Sequence, residues 1–258
     1  MRSRTQMSRD VGSVRSWNAR QCPGAMKLIR RLTEGVGAWL QFETHCNRRG
    51  LFSERYLSVP VGQILGAVYG SNVHAEAPHP VLIHHQKGAG GRTRLDFVAR
   101  DAKELPVAAV ETKWIGQTTP SVERIVWDLI RLELVAAHSD AECCFILGGR
   151  KRDLQRFFRS ADFLGRTAAH RKPILPLTPG TLTRYRMRAA PPYRWPMHKA
   201  ILQNWQDLSV AESFMLVGSR PCPVDCVGEQ HQIYGWSVRV APDGTRFQPK
   251  SSRRYRAA

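Results

Sequence analysis

The sequence predicts an α/β fold with a mixed central β-sheet flanked by helices, and three observations indicate it. Runs with the apolar pattern of strands are interspersed with segments of helical periodicity. The run Cys143–Leu147 is apolar throughout, which is typical of a central strand covered on both faces. With 258 residues, 42% of them hydrophobic, and no obvious linker, the chain is expected to form one domain. We place it at residues 26–247, after a basic, disordered extension at 1–25 and before a basic flexible tail at 248–258.

The N-terminal part of the domain is predicted to be helical. Apolar residues at helical spacing predict a first helix over Lys27–Asn47. Phe52–Leu57 is expected to form a short helix. Pro60 is expected to begin the next one, over Val61–Tyr69, because proline suits the first turn of a helix.

Three strands are expected to follow. Apolar and β-branched residues predict strands over Val81–Gln86, Thr93–Ala99 and Val107–Trp114. The glycine-rich segment Lys87–Gly91 separates the first two, and the polar turn Asp101–Glu104 joins the last two. The last two strands are therefore expected to form a hairpin.

A long helix and a buried strand are predicted after the hairpin. Thr119 is the expected N-cap and Pro120 the first residue of a helix that runs to about His138 with one apolar face. The apolar strand that follows is expected to end at the glycine pair 148–149. Helical periodicity then covers Lys151–Leu164.

The last third of the chain is predicted to be mixed. Pro173–Leu177 is expected to form a strand, and residues 178–197, which are rich in proline and arginine, an irregular connection. A short helix over His198–Leu208 and two late strands over Ser213–Val217 and Gln232–Val240 complete the prediction.

The charge of the chain indicates a polyanionic partner. Thirty-nine Lys and Arg against 21 Asp and Glu give a formal charge of +18, which favours nucleic acids through steering and counterion release. Basic residues are dense between positions 150 and 199, where tyrosine and tryptophan interleave with them. The expected phosphate contacts are Arg150, Lys151, Arg152, Arg184, Arg186 and Arg188.

Several other classes of protein lack support in the sequence. Cys222 and Cys226 have the spacing of half a zinc site, with His231 nearby, but a second pair of ligands is missing. The six cysteines fit a reducing cytoplasm better than a disulfide framework. No apolar run approaches the roughly 20 residues that span a bilayer, and no motif for nucleotide phosphates or a serine hydrolase is present.

The predicted hairpin carries the charges that point to a catalytic site. Asp96 lies on its first strand, and Glu111, Thr112 and Lys113 end the second. Because side chains alternate along a strand, Glu111 and Lys113 share a face, and pairing of the strands brings Asp96 to the same end. Carboxylates and an ammonium converging there can hold a divalent cation and a water against a phosphodiester. As a purely structural alternative, these residues form surface ion pairs.

This pattern resembles the PD-(D/E)xK nuclease superfamily, which has the restriction-endonuclease-like fold. The resemblance covers residues 51–149, and Leu95 stands where the family name has proline. It implies that Asp96 and Glu111 ligate Mg²⁺ or Mn²⁺ with the backbone carbonyl of Thr112. It also implies that Lys113 orients the attacking water or stabilises charge on the phosphate.

An acid on an early helix often joins the site in this superfamily. Glu54 is the first candidate and Gln63 the second, with Glu43 and Glu34 as alternatives. The resemblance implies a Mg²⁺-dependent endonuclease that cuts DNA, with RNA as an alternative substrate. The other interpretations are a catalytically inactive nucleic-acid-binding protein of this fold and an accessory subunit. A homodimer or a partner protein is compatible with the sequence, which carries no dimer signature.

The helix after the hairpin is a further source of candidate site residues. Arg124 and Arg131 lie on it, where they could bracket a substrate phosphate. Asp128 and Arg131 are three residues apart and are expected to pair on the helix surface, which supports the helix rather than catalysis.

Overall fold

The computed structural model describes residues 23–84, 93–116, 118–165, 172–225 and 227–256. Its centre is a seven-stranded mixed sheet with helices on both faces, which confirms the predicted α/β class. Most of the predicted basic extension at 1–25 lies outside the described residues, but its last residues, from Pro23, begin the first helix.

The helices and strands are numbered in chain order. The helices are α1 Pro23–His45, α2 Glu54–Tyr69, α3 Val122–Ser139, α4 Lys151–Phe158, α5 Ala161–Leu164 and α6 Trp195–Leu202. The strands are β1 Val73–Pro78, β2 Arg94–Arg100, β3 Pro106–Ile115, β4 Glu142–Arg150, β5 Leu182–Arg186, β6 Val210–Ala211, β7 Ser213–Gly218, β8 His231–Val240 and β9 Arg246–Phe247.

The order of strands in the main sheet is β1-β2-β3-β4-β8-β7-β5, while β6 and β9 form a separate ribbon. Only the β3–β4 pairing in the main sheet is parallel, because α3 carries the chain back to the starting edge between these two strands. The predicted central position of β4 is confirmed. Its two neighbours and the helices on both faces exclude water from Cys143 and Cys144, and this burial raises the pKa of both thiols.

The two faces of the sheet bury different helices. Ala109 of β3 packs in the core under α3, whereas Ala108 and Val110 pack in the core under α1 and α2. This alternation is the strand period of two, and it turns the odd-numbered side chains at the end of β3 toward α3. On the other face, α1 lies so close to β8 that a side chain at Gly235 would collide with Thr33 and Ile29.

One continuous helix replaces the two short helices predicted around Pro60. Ser53 caps α2 by accepting a hydrogen bond from the Tyr56 amide at 3.3 Å, so the helix begins before Pro60. Pro60 itself is buried beside Leu57 and Val61, and this packing offsets the backbone hydrogen bond that proline lacks.

The predicted strand over Val81–Gln86 is wrong where the structure describes it. Residues 82–84 form a 3₁₀ turn, and residues 85 and 86 lie outside the described part of the chain. The strand that pairs with β2 is β1, whose polar, mostly exposed sequence carries little strand signal.

The ends of α3 and β4 differ from the prediction for local reasons. Ser121, not Thr119, is the N-cap of α3, and the helix begins at Val122 rather than Pro120. β4 continues through the glycine pair 148–149, which remains paired with β3. Glycine is needed there because a Cβ at either position would collide with Trp114 or Ile115.

Where the structure describes them, residues 151–177 contain less regular structure than predicted. The expected helix over Lys151–Leu164 divides into α4 and α5, since Ser160 caps a new turn through the Phe163 amide. The strand predicted at 173–177 is wrong: Ile174 and Leu175 are buried there, but in irregular backbone.

Two further corrections concern residues 178–208. The stretch 178–197, predicted to be irregular, contains the edge strand β5 and the beginning of α6. α6 begins at Trp195 and ends at Leu202, earlier than the predicted His198–Leu208. β5 carries little apolar pattern because Tyr185, its only buried residue, stands between Arg184 and Arg186.

The C-terminal segment packs against the domain as far as residue 256, contrary to the flexible tail predicted from 248. The Tyr255 ring is fully buried, and its hydroxyl donates to the Met187 carbonyl at 2.8 Å. The Gln206 side chain donates to the Tyr255 carbonyl at 3.1 Å. No described helix is long and apolar enough to cross a bilayer.

His79 links the segment before β2 to α3 through hydrogen bonds of its side chain. Its buried Nδ1 accepts hydrogen bonds from the amides of Val81 and Leu82, both at 3.1 Å. The other ring nitrogen, Nε2, therefore carries the hydrogen and donates to the Arg131 carbonyl at 3.0 Å. Burial lowers the pKa of His79 to about 4.

This burial predicts a loss of stability in acid. Between pH values of about 6.5 and 4 the unfolded chain binds the proton at His79 and the folded chain does not. Stability from this group is complete above the upper value and falls by up to about 1.4 kcal/mol per pH unit as pH decreases. In urea unfolding at pH 7 and pH 5, the deficit of His79→Gln relative to wild type should therefore shrink at pH 5. The exposed His74→Gln is the control, and a deficit independent of pH would contradict the assignment.

Candidate active site

The site lies where β2 and β3 stop pairing through their backbones. Phe97 pairs with Val110, which places Asp96 opposite Glu111 on the next rung. At this point the Asp96 side chain, rather than the backbone, links the two strands. Its Oδ2 accepts hydrogen bonds from the Thr112 amide and the Thr112 hydroxyl, both at 2.7 Å. Asp96 is thus held against β3, beside the Glu111 carboxylate.

Glu111 is a buried carboxylate with unused acceptor capacity. Its Oε1 lies 2.9 Å from Arg131 Nη2, but the contact lacks hydrogen-bond geometry, and neither carboxylate oxygen has a donor among the described residues. Burial raises the pKa of Glu111 well above its usual value, and the negative charges of Asp128 and Asp96 raise it further. A cation at this position would favour the ionised form.

Lys113 is held between two acids from different helices. Its Nζ lies 3.1 Å from Glu54 Oε1 and 3.2 Å from Asp128 Oδ2, and it donates to the Thr112 carbonyl at 2.9 Å. Burial lowers the pKa of Lys113, but Asp128 and Glu54 outweigh it, so the pKa is raised overall. The ammonium is therefore charged and fixed in position at neutral pH.

Of the candidate residues on early helices, Glu54 is the one that contacts Lys113. It stands in the first turn of α2, directly after the Ser53 cap. Glu34 instead pairs with Arg30 on the surface of α1 at 2.7 Å. Glu43 is buried and accepts a hydrogen bond from the Tyr56 hydroxyl at 2.6 Å.

Gln63 is exposed more than two turns further along α2. It does not line the clefts beside Glu54.

Asp128 and Arg131 belong to the site, although the sequence predicted a surface pair that supports α3. They do pair, at 2.5 Å, but Asp128 is buried and both residues face β3, where they contact Lys113 and Glu111. The sequence did contain a signal that Asp128 is buried. It stands beside Ile125 and Leu129 on the apolar face of α3, where a carboxylate needs a partner.

The charges form one network with a formal deficit of positive charge. Four carboxylates, from Glu54, Asp96, Glu111 and Asp128, face two cations, from Lys113 and Arg131. With every acid ionised this leaves −2. Two of these acids, Glu111 and Asp128, have buried oxygens without a hydrogen-bond donor in the described structure.

The acceptors of this network are oxygen atoms, the kind of ligand that Mg²⁺ binds. No group of three His, Cys, Asp or Glu side chains within the described ranges forms a complete metal cage. Mg²⁺, however, is usually held by one or two carboxylates and keeps several waters. Asp96, Glu111 and the Thr112 carbonyl provide such a partial set.

Two connected clefts open beside the network. A cavity of about 290 Å³ is lined by Lys113, Asp128, Arg124 and Trp127, among others. It shares Glu54, Trp114 and Thr118 with a larger cleft of about 830 Å³. The charged network therefore borders a space large enough for a substrate.

The six basic residues predicted to contact phosphates do not form one surface. Arg150 lines the larger cleft, and Arg152 pairs with Glu229 nearby. Lys151 begins α4 beside them and is partly buried.

The other three basic residues belong to the opposite end of the sheet. Arg184, Arg186 and Arg188 line a separate cleft of about 620 Å³. Arg186 pairs with Ser213 at the end of the sheet where β4 begins. Arg150 is the last residue of β4 and therefore lies at the other end.

Among the residues that the structure describes, no further ligand joins the possible zinc half-site. The Cys222 thiol lies 3.7 Å from the Glu34 carbonyl, and His231 stacks on Trp114. Cys226 lies outside the described residues.

Comparisons with protein-family models, with curated proteins and with solved structures find no match to this chain. The resemblance to the PD-(D/E)xK superfamily therefore depends on Asp96 and on the Glu111-Thr112-Lys113 segment.

Proposed function

We propose that the protein is a metal-dependent nuclease that hydrolyses DNA phosphodiester bonds. One observation carries the proposal: Asp96 and the buried Glu111 lie beside Lys113 and Glu54, which line a cleft, and the Glu111 carboxylate has no hydrogen-bond donor among the described residues. Burying that much like charge is costly without a function or a cation.

In this proposal Asp96 and Glu111 hold Mg²⁺ or Mn²⁺ together with the Thr112 carbonyl. The bound cation would lower the pKa of a water ligand and offset charge on the phosphate. The hydrogen bonds from Thr112 to Asp96 fix that carboxylate before any ligand enters, so little ordering is needed on binding.

Lys113 has an electrostatic role in this proposal. Its raised pKa keeps the ammonium protonated at neutral pH, so it cannot serve as the base that deprotonates water. Glu54 and Asp128 instead hold the ammonium where it can orient the water and neutralise charge that develops on the phosphate.

The requirement for metal provides the first test. Wild-type protein is expected to cut supercoiled and linear DNA with Mg²⁺ or Mn²⁺ and to stop cutting when EDTA removes the cation, because in this proposal the cation lowers the pKa of the attacking water. Agarose electrophoresis measures the products. Cutting that continues unchanged in EDTA would contradict the proposal.

A second function, DNA binding without hydrolysis, is favoured by the Arg131 contact. Its guanidinium already lies 2.9 Å from Glu111 and supplies positive charge where the metal would. Such a protein would bind DNA with an affinity that falls steeply with salt, and it would not cut with any divalent cation. The same assay, with binding measured in parallel, separates the two functions.

A further inference from the structure

The larger cleft has an aromatic wall beside the charged network. Trp114 and His231 stack with ring centroids 5.5 Å apart, and Phe52 meets the His231 ring edge-on at 4.6 Å. All three line the cleft of about 830 Å³. His231 itself is buried, and burial lowers its pKa to about 4, so at neutral pH its uncharged ring packs behind Trp114 and Phe52.

Exposed arginines surround this wall. Arg49, Arg55 and Arg150 line the same cleft, and each is exposed to solvent. The lining also contains the acids Glu54 and Asp153, of which Glu54 contacts Lys113 at 3.1 Å. Aromatic faces ringed by arginines are the combination that binds single-stranded nucleic acid, because bases stack and phosphates pair.

The aromatic wall and the proposed catalytic site share residues. Trp114 directly follows Lys113 in β3 and lines both clefts, as Glu54 and Thr118 do. Side chains of consecutive strand residues point to opposite faces, but Trp114 and Lys113 both line the smaller cleft, so a nucleotide whose base contacts Trp114 can extend from the larger cleft toward the Lys113 ammonium. In a DNA duplex both faces of each base are stacked on neighbouring bases. A base can therefore stack on this aromatic wall only after it has left the duplex.

We infer that the larger cleft binds an unpaired nucleotide of a DNA strand, with its base against Phe52 and Trp114 and its phosphates toward Arg55 and Arg150. The inference deepens the proposed function, on which it rests: the nucleotide next to the scissile phosphate is unpaired when the protein binds it, either because the substrate is single-stranded there or because the base has left the duplex. The binding step itself does not require that the site be catalytic.

Binding of a labelled single-stranded oligonucleotide in EDTA, followed by fluorescence anisotropy, tests this inference without cleavage. Phe52→Ala should weaken binding by about fivefold or more, the effect of one lost stacking contact. Phe52→Leu keeps apolar volume for the core and should weaken binding similarly. Phe42→Ala, an exposed aromatic outside the cleft, should leave affinity unchanged. Arg150→Ala should weaken binding more than Arg156→Ala, since Arg156 is exposed on α4 and outside the cleft.

Oligonucleotides with one abasic position identify the stacked base. Wild type should lose affinity when one particular base is removed, and Phe52→Leu should be insensitive at that position, because the same contact is already absent. Equal effects of the Phe52 and Phe42 variants, or tighter binding of a blunt duplex of the same length, would overturn the inference.

The inference and the proposed function can fail separately. Metal-dependent cutting of blunt duplex that is unaffected in Phe52→Leu would overturn the inference and leave the nuclease standing. Single-strand binding that depends on Phe52, with no cutting in any metal, would support the inference and overturn the nuclease.

Discussion

Replacing Lys113 with methionine is expected to reduce metal-dependent DNA cleavage by at least about 10²-fold, the usual cost of one transition-state charge contact. Methionine keeps the apolar stem and removes the ammonium that Glu54 and Asp128 hold in place. Arg131 still pairs with Asp128, so the fold and the binding of DNA should be retained.

Glu111→Ala should likewise abolish cutting, because it removes a proposed metal ligand.

Initial rates of cleavage measure this loss, with circular dichroism and DNA binding as checks on folding. Lys103→Met is the matched control, since Lys103 is exposed in the turn before β3, at the other end of that strand. Full activity in Lys113→Met or Glu111→Ala would place catalysis elsewhere. Equal losses in Lys113→Met and Lys103→Met would indicate a general effect of charge on DNA binding.

Replacing Arg131 with alanine is expected to lower the free energy of unfolding by about 3–5 kcal/mol, the usual cost of removing one partner from a buried ion pair. Arg131 contacts Glu111 at 2.9 Å and Asp128 at 2.5 Å, and the side chains of both acids are almost completely buried. Without the guanidinium, these two almost completely buried carboxylates repel each other.

Urea unfolding measures the loss, and a second substitution tests its cause. Glu111→Gln in the Arg131→Ala background removes one of the repelling charges and should recover part of the stability. Under the proposed function, Mg²⁺ should also stabilise Arg131→Ala more than wild type, because the cation replaces the lost charge. A destabilisation that Glu111→Gln leaves unchanged would assign the role of Arg131 to packing instead.

The elements around the site were predictable to different degrees. β2, β3 and β8 were predicted to within about two residues at each end, because their patterns are local. β1 and β5 were missed, since edge strands with polar faces carry little apolar periodicity. The glycine pair 148–149 was misread as the end of β4, because the close contact with Trp114 and Ile115 that requires glycine involves another strand.

The candidate site shows the same division. The strand period and the hairpin turn predicted that Asp96, Glu111 and Lys113 would meet, and they lie together at one end of the sheet. The three-residue spacing of Asp128 and Arg131 on α3 predicted that they pair. It did not predict that they contact Lys113 and Glu111 of β3.

The sequence by itself determined the α/β class, the hairpin with its three charged residues, and the basic charge that favours nucleic acid. Only the tertiary structure decided that Glu54 and Asp128 contact Lys113, that Arg131 contacts Glu111, and that Trp114 lines two clefts. The reason is physical. Periodicity and turns act over a few residues, whereas burial, pKa and ion pairing depend on neighbours that are distant in the chain.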